Sequence, residues 1–198
     1  MNLSEHTRKF FKSILGRTGD DTYQPIVSDS TTHALTTITY PHHETHAGRF
    51  YRAGMNYTLA NGNVATFGLI TPNSSRWIHT VWELTATADG TFEIIEDVTS
   101  FSGGAATTPL NHNRNSSNTS ITTCTKGMTG VDPITPTGGT TIVSKTLSTG
   151  KGVITDRGSG EEFILKQNSK YLFRYTNGTS ANVIKLTFEW YEHGNREA

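Results

Sequence analysis

Three of the chain's eight histidines fall within five residues: His42, His43 and His46, in the stretch Tyr40-Pro41-His42-His43-Glu44-Thr45-His46-Ala47-Gly48-Arg49-Phe50-Tyr51. Neutral imidazole is the commonest protein ligand for metals, and a catalytic zinc takes three protein ligands and keeps an open position. These three histidines are therefore candidate metal ligands. The spacing departs from the helical protease pattern, in which two His sit one turn apart with a Glu between them. His43 and His46 are three apart, and Pro41 and Gly48 bracket the segment and oppose a helix. Read as a strand, the stretch places His42, Glu44 and His46 on one face and His43 on the other. The plainer reading is structural, with His and Glu hydrogen-bonded at a strand start or a subunit contact, and no metal or other cofactor is expected.

Other chemistry is sparse. The chain has no Gly-x-Ser-x-Gly elbow, no phosphate loop and no dinucleotide fingerprint, and Gly103-Gly104 lies in a loop with no helix after it. Glu161-Glu162 and the pair Glu93 and Glu96 read as solvated faces or turn edges. A metal-holding β-barrel enzyme would need a His-x-His pair and a later His. His79, His112 and His193 are available as distant ligands, but no spacing demands them. Cys124, the single cysteine, reads as a small buried hydrophobe and excludes an intrachain disulfide. The expectation is a protein that is not an enzyme.

The elements that must position these residues are strands. The chain has 198 residues, enough for one β domain with a sizeable core and an appendage. Lys plus Arg and Asp plus Glu are both 17, so the net charge is zero, which argues against a general nucleic-acid binder and against a polybasic membrane contact. Charged residues are only 17%; 34 threonines, with Ser, Asn and Gly, supply the polarity and suit strands and turns. No secretory leader and no run of about 18 apolar residues is visible, so cytoplasmic synthesis is expected. Sequons such as Asn56-Tyr57-Thr58 and Asn177-Gly178-Thr179 read as chance in an Asn- and Thr-rich chain.

In order, Ser4 to Leu15 is a candidate helix with an apolar stripe of Phe10, Phe11, Ile14 and Leu15 and a basic face of Arg8, Lys9, Lys12 and Arg17, stopped by Gly16 and Gly19. Thr18 to His33 reads as a linker, so residues 1–33 form an arm and 34–198 a β domain. Strands are expected at Leu35–Tyr40, Arg49–Leu59, Val64–Ile70, Arg76–Thr87 and Thr91–Val98. Asn61-Gly62 and Asp89-Gly90 read as turns of successive hairpins in a meander. Trp77 and Trp82 on opposite faces of one strand suggest a strand between two layers.

Ser102 to Ser120 reads as a long excursion, functional or held by Asn side chains bonded to backbone. Ile121–Thr125 is a brief strand, Met128 to Gly139 a second Pro- and Gly-rich loop, and Thr140–Leu147 a strand. Glu162–Lys166, Tyr171–Thr176 and Val183–Tyr191 close the sheet. In the last, Ile184, Leu186, Phe188 and Trp190 alternate with Lys185, Thr187 and Glu189. Roughly nine to eleven strands with Gly, Pro and Asn turns point to an all-β fold, an antiparallel β-sandwich or jelly roll with a short N-terminal helix or arm.

Tyr40 through Tyr51, Thr71-Pro72-Asn73-Ser74, Pro109 through Ser116, Leu165 through Thr176 and Glu189-Trp190-Tyr191-Glu192-His193 together resemble, in order, blocks of a family of tailed-bacteriophage virion proteins. The resemblance spans roughly residues 40–193 and leaves the arm uncovered. It implies a capsid decoration or cement protein on the outer surface of the virion, with the major capsid protein and further copies of itself, as a homotrimer, for partners. The expected contacts are Arg8, Phe10, Phe11, Ile14 and Leu15 of the arm, with His43, His46, Asn113 and Arg114. The rival is a head- or tail-fibre receptor- or glycan-binding protein, for which Trp77, Tyr51 or Tyr57 would line a shallow groove.

Overall fold

The computed structural model describes residues 16–17, 23–24, 40–148, 154–157, 162–179 and 181–194. The expected helix over Ser4–Leu15, with the arm contacts Arg8, Phe10, Phe11, Ile14 and Leu15, and the greater part of the expected strand Leu35–Tyr40, lie outside them. Gly16–Arg17 (β1) and Tyr23–Gln24 (β2) pair as a two-residue antiparallel ladder, so Arg17 is in a strand rather than on a helix face. Residues His43–Asn195 form one compact unit.

That unit is an antiparallel β-sandwich. One sheet runs, in spatial order, Thr140–Leu147 (β12), Gly90–Glu96 (β6), Lys170–Asn177 (β15), Val64–Ile70 (β4), Thr123–Met128 (β10) and Ala105–Thr107 (β8). The other runs Ile154–Arg157 (β13), Arg76–Ala86 (β5), Asn182–Gly194 (β16), Phe50–Leu59 (β3) and Leu110–Asn111 (β9), and Phe163–Leu165 (β14) also pairs with β5. A small third ladder joins Ser100–Ser102 (β7) to Thr135–Thr137 (β11).

The turns expected to close hairpins instead carry the chain between sheets. β3 and β4, joined at Asn61-Gly62, lie in different sheets, as do β5 and β6, joined at Asp89-Gly90. The meander reading is therefore corrected. Gly62, at φ 75°, satisfies a tight turn in either case. Whether the next strand pairs or crosses over is decided by which core face it must bury. With β3, β5 and β16 in one sheet and β4, β6 and β15 in the other, the orders β13-β5-β16-β3 and β12-β6-β15-β4 are those of a jelly roll. The excursion after β6 then widens both sheets at the same side, β10 and β8 beyond β4 and β9 beyond β3.

Alternation explains the core. Ile184, Leu186, Phe188 and Trp190 of β16 are fully buried between the sheets, where Phe188 stacks on Phe67 at 4.8 Å and meets Phe173 edge-on at 4.1 Å. Burying each such side chain contributes roughly 1.5–3 kcal/mol before entropy is subtracted. Trp82 enters the same core beside Phe92 at 4.7 Å. Trp77, on the opposite face of β5, is 36% exposed, so β5 does not lie between two layers as expected: one face meets the core and the other is the outside of the sandwich. At the far end, Asn182, fully buried, accepts from the Thr87 and Ala88 amides and donates to Ala88 O, Tyr175 Oη and Asn177 Oδ1. Asn177 itself is buried and donates to Leu59, Ala60 and Thr179 carbonyls, which leaves its sequon unusable in the folded protein.

Candidate functional site

The histidine stretch is a helix, not a strand. Tyr40–His46 (α1) is α-helical; Pro41 falls in its first turn, where a missing N–H costs nothing. Gly48 ends it in the left-handed region at φ 67°. Arg49 N donates to Glu44 O at 2.9 Å and Gly48 N to Thr45 O at 3.0 Å, the paired bonds of a Schellman cap. The residues expected to oppose a helix thus begin and end a short one. Glu44 is 1% exposed and is held by Arg49 Nε at 2.9 Å and His43 Nδ1 at 3.1 Å. His42, His43 and His46 are exposed, and among the described residues no group of three or more His, Cys, Asp or Glu is arranged to hold a metal ion.

The excursion is tied to this corner by asparagines. Asn111, buried, donates to Gly48 O at 2.9 Å and Asn118 O at 3.1 Å. Asn113 Nδ2 donates to His46 O at 3.2 Å, and Asn118 Nδ2 to Ala47 O at 3.4 Å. Arg114, exposed, reaches back to Asn111 O at 3.4 Å. The structure therefore brings together four of the expected contact residues, His43, His46, Asn113 and Arg114, at one corner.

Glu192 is the second fastening. It follows Ile184, Leu186, Phe188 and Trp190 in phase and is fully buried. It accepts from Ser120 Oγ at 2.5 Å, from the Ile121 amide at 3.1 Å, from Thr122 Oγ1 at 3.4 Å and from Trp190 Nε1 at 3.2 Å, and Arg76 stands 3.9 Å away. Sequence reasoning passed over Glu192; a carboxylate in register with four large apolar residues was the available signal.

Above this corner, the outer face of the β5–β16–β3 sheet carries a row of rings. Register aligns Phe50, Tyr191, His79 and Ile164 across β3, β16, β5 and β14. His112 joins the row by stacking on Phe50 at 4.3 Å; His79 stacks on Tyr191 at 4.8 Å. One register step away lie Trp77 opposite His193, and Val81 opposite Glu189. Trp77, Val81, Leu110 and Ile164 remain 36%, 39%, 53% and 55% exposed. Trp77, Val81 and Ile164 flank the rings of Tyr191 and His79, while Glu189 and Arg52 stand between Val81 and Leu110 in the register. Further along the same strands the face turns polar, with a shallow depression of about 110 Å³ lined by Arg52, Glu83, Thr85, Lys185, Thr187 and Glu189.

Within the row His79 Nδ1 and Tyr191 Oη both meet Glu162 Oε1, and His79 Nε2 faces His193 Nε2 at 2.6 Å. Burial holds the His79 imidazole below its ordinary value; the hydrogen bond to Glu162 acts the other way, and His193 adds to the lowering. Burial also lowers His112, against the pull of Glu189. Of the three distant histidines, then, two are in contact and the third closes the row. Cys124 is buried and its thiol is pushed up to about 12 by burial, which makes it a packing residue.

Comparison of the chain with known protein families, with characterised proteins and with solved structures found no match. Among the described residues no helix is long and apolar enough to cross a membrane.

Proposed function

We propose that the protein is a non-enzymatic structural component of a bacteriophage virion that binds the outer capsid shell as an oligomer and stabilises it. The observation that carries this reading is the exposure of Trp77, Val81, Leu110 and Ile164 together on the outer face of the β5–β16–β3 sheet and its edge strands. An open, ring-lined sheet face held by two long ladders suits docking onto a broad surface better than enclosing a small molecule. The blocks that resemble phage virion proteins support it too. Their residues supply α1, the Pro109–Ser116 part of the excursion and the end of β16, which meet on this side of the sheet. The jelly roll alone is neutral, since folds of this kind host many functions.

In this proposal the outer face and the adjacent corner of His43, His46, Asn113 and Arg114 face the major capsid protein, the protein assembles as a homotrimer, and the many copies on one shell give avidity from modest individual contacts. Of the three aromatics that the glycan-binding reading draws on, Trp77 is exposed, Tyr57 is half-buried and packs against the core, and Tyr51 is 1% exposed and packs against Trp190. The test is co-sedimentation of the purified chain with shells lacking it, with light scattering for its oligomeric state. Saturable binding supports the proposal; a protein that ignores shells and adheres to host cells supports the fibre reading instead.

A further inference from the structure

The two sheets of the sandwich end unevenly on one side. Beyond β4 the first sheet continues with β10 and then β8, whereas beyond β3 the second continues only with β9, which pairs at Tyr51 and Arg52. Among the described residues no strand pairs with β3 from Ala53 onward on that side. His112 N donates to Phe50 O at 2.8 Å across the β9 edge, and strand alternation aims the N–H and C=O of Gly54 and Asn56 the same way. Those groups form an open edge on which another extended chain can pair. A cleft of about 300 Å³ lies there, with Arg52, Gly54, Asn56, Lys126, Lys185 and Thr187 in its lining.

The charge of the cleft comes from both sheets. Lys126 pairs with Phe67 of β4, in phase with Cys124, which pairs with Leu69. Phe67, Leu69 and Cys124 are buried in the core, so Lys126 rises from the same inner face of its sheet, where the short β9 leaves that face uncovered. Arg52 and Lys185, both exposed, flank the cleft on the outer face of the other sheet. Among the described residues no carboxylate lies within ion-pair distance of these three cations. Glu83 and Glu189 share the neighbouring depression with Arg52 and Lys185, and Lys126 stands outside it.

We infer that this edge binds an extended acidic segment of a partner protein, added to β3 as a strand in line with β9. Successive side chains of a strand alternate between faces. Two adjacent carboxylates therefore suffice, one turned inward to Lys126 and the next turned outward to Arg52 and Lys185. The main chain of Gly54 and Asn56 supplies affinity, and the three cations supply selection. An inward lysine rejects an apolar strand, because its ammonium would be covered without a partner; a carboxylate in that place makes a charge-assisted bond instead.

The inference stands apart from the virion reading. It is tested on the full chain by NMR and calorimetric titration with the end-capped peptide Thr-Val-Thr-Asp-Glu-Thr-Val-Thr. Its Asn-Gln counterpart and a version N-methylated at the four central residues serve as controls. The acidic peptide should bind saturably, weaken between about 50 mM and about 500 mM salt, and slow amide exchange at Gly54 and Asn56. Both control peptides should bind about tenfold more weakly, as should the acidic peptide to Lys126→Gln. Lys185→Gln, at an exposed position, should weaken binding about threefold and serves if Lys126→Gln disturbs folding. Absence of saturable binding, equal binding of the acidic and Asn-Gln peptides, or unchanged exchange at Gly54 and Asn56 would overturn the inference. So would inorganic phosphate or heparin reproducing every change that the peptide causes, since the cleft would then be a simple anion site.

Discussion

Glu192→Ala examines the fastening on which the candidate site depends. Glu192 has no exposure and serves four donors, Ser120, the Ile121 amide, Thr122 and Trp190, beside Arg76. Removing the carboxylate leaves the Ile121 amide and the Trp190 indole N–H without an acceptor in a buried place and leaves Arg76 without its counter-charge. Each orphaned donor costs about 1–3 kcal/mol, and the Arg76 contact, at 3.9 Å to a side chain 43% exposed, adds about 0–1 kcal/mol. These overlap rather than add, so about 4 kcal/mol is expected. For a unit of this size that corresponds to a fall in Tm of about 8–16 °C. Glu192→Gln keeps an acceptor and the shape and should cost about half as much. Urea denaturation measures the loss, and hydrogen exchange localises it. The Ile121 amide should lose protection in Glu192→Ala while amides of β4 and β15 keep theirs relative to global stability. A Glu192→Ala protein within 1 kcal/mol of the parent (a margin of about fivefold in the folding equilibrium) would refute the assignment of Glu192 as the anchor of the excursion.

Three further outcomes follow from single sites. Gly48→Ala should destabilise by about 1–3 kcal/mol in thermal melts, because the position is left-handed and an added Cβ would lie 2.2 Å from Ser116 Oγ. Asn182→Ala should cost about 3 kcal/mol in the same assay, since the Thr87 and Ala88 amides and Tyr175 Oη all lose a partner. Cys124, buried with its thiol pushed up to about 12, should resist alkylation at pH 8 in the folded protein and react promptly in urea.

The strands were legible wherever local pattern and burial agree. Val64–Ile70 and Thr140–Leu147 fall where β-branched content and flanking turns place them, and β16 buries the four residues whose alternation announced it. What local pattern could not carry was sheet membership. Asn61-Gly62 and Asp89-Gly90 read the same whether the chain doubles back within a sheet or crosses the core, and both cross it. Pro41 and Gly48 are helix breakers in a helix's interior and helix boundaries at its ends, so the same two residues gave the opposite reading to the one the structure adopts. Short strands such as β8 and β9 carry too few residues for a period to show; they are strands because β10 and β3 offer them edges. The site was partly legible. His43, His46, Asn113 and Arg114 do gather at one corner. The pairing of His79 with His193, 114 residues apart, exists only through the β5–β16 register.

The reading of the outer sheet face as a shell-docking face is tested most directly by co-sedimentation of the full chain and its Trp77→Ser/Ile164→Ser variant with shells that lack the protein. Both positions are exposed, so the variant should keep the parent's melting behaviour to within a few degrees. The parent should sediment to saturation, and the variant should remain in the supernatant. A variant that binds shells as the parent does, or a parent that never sediments with them, would contradict the proposal.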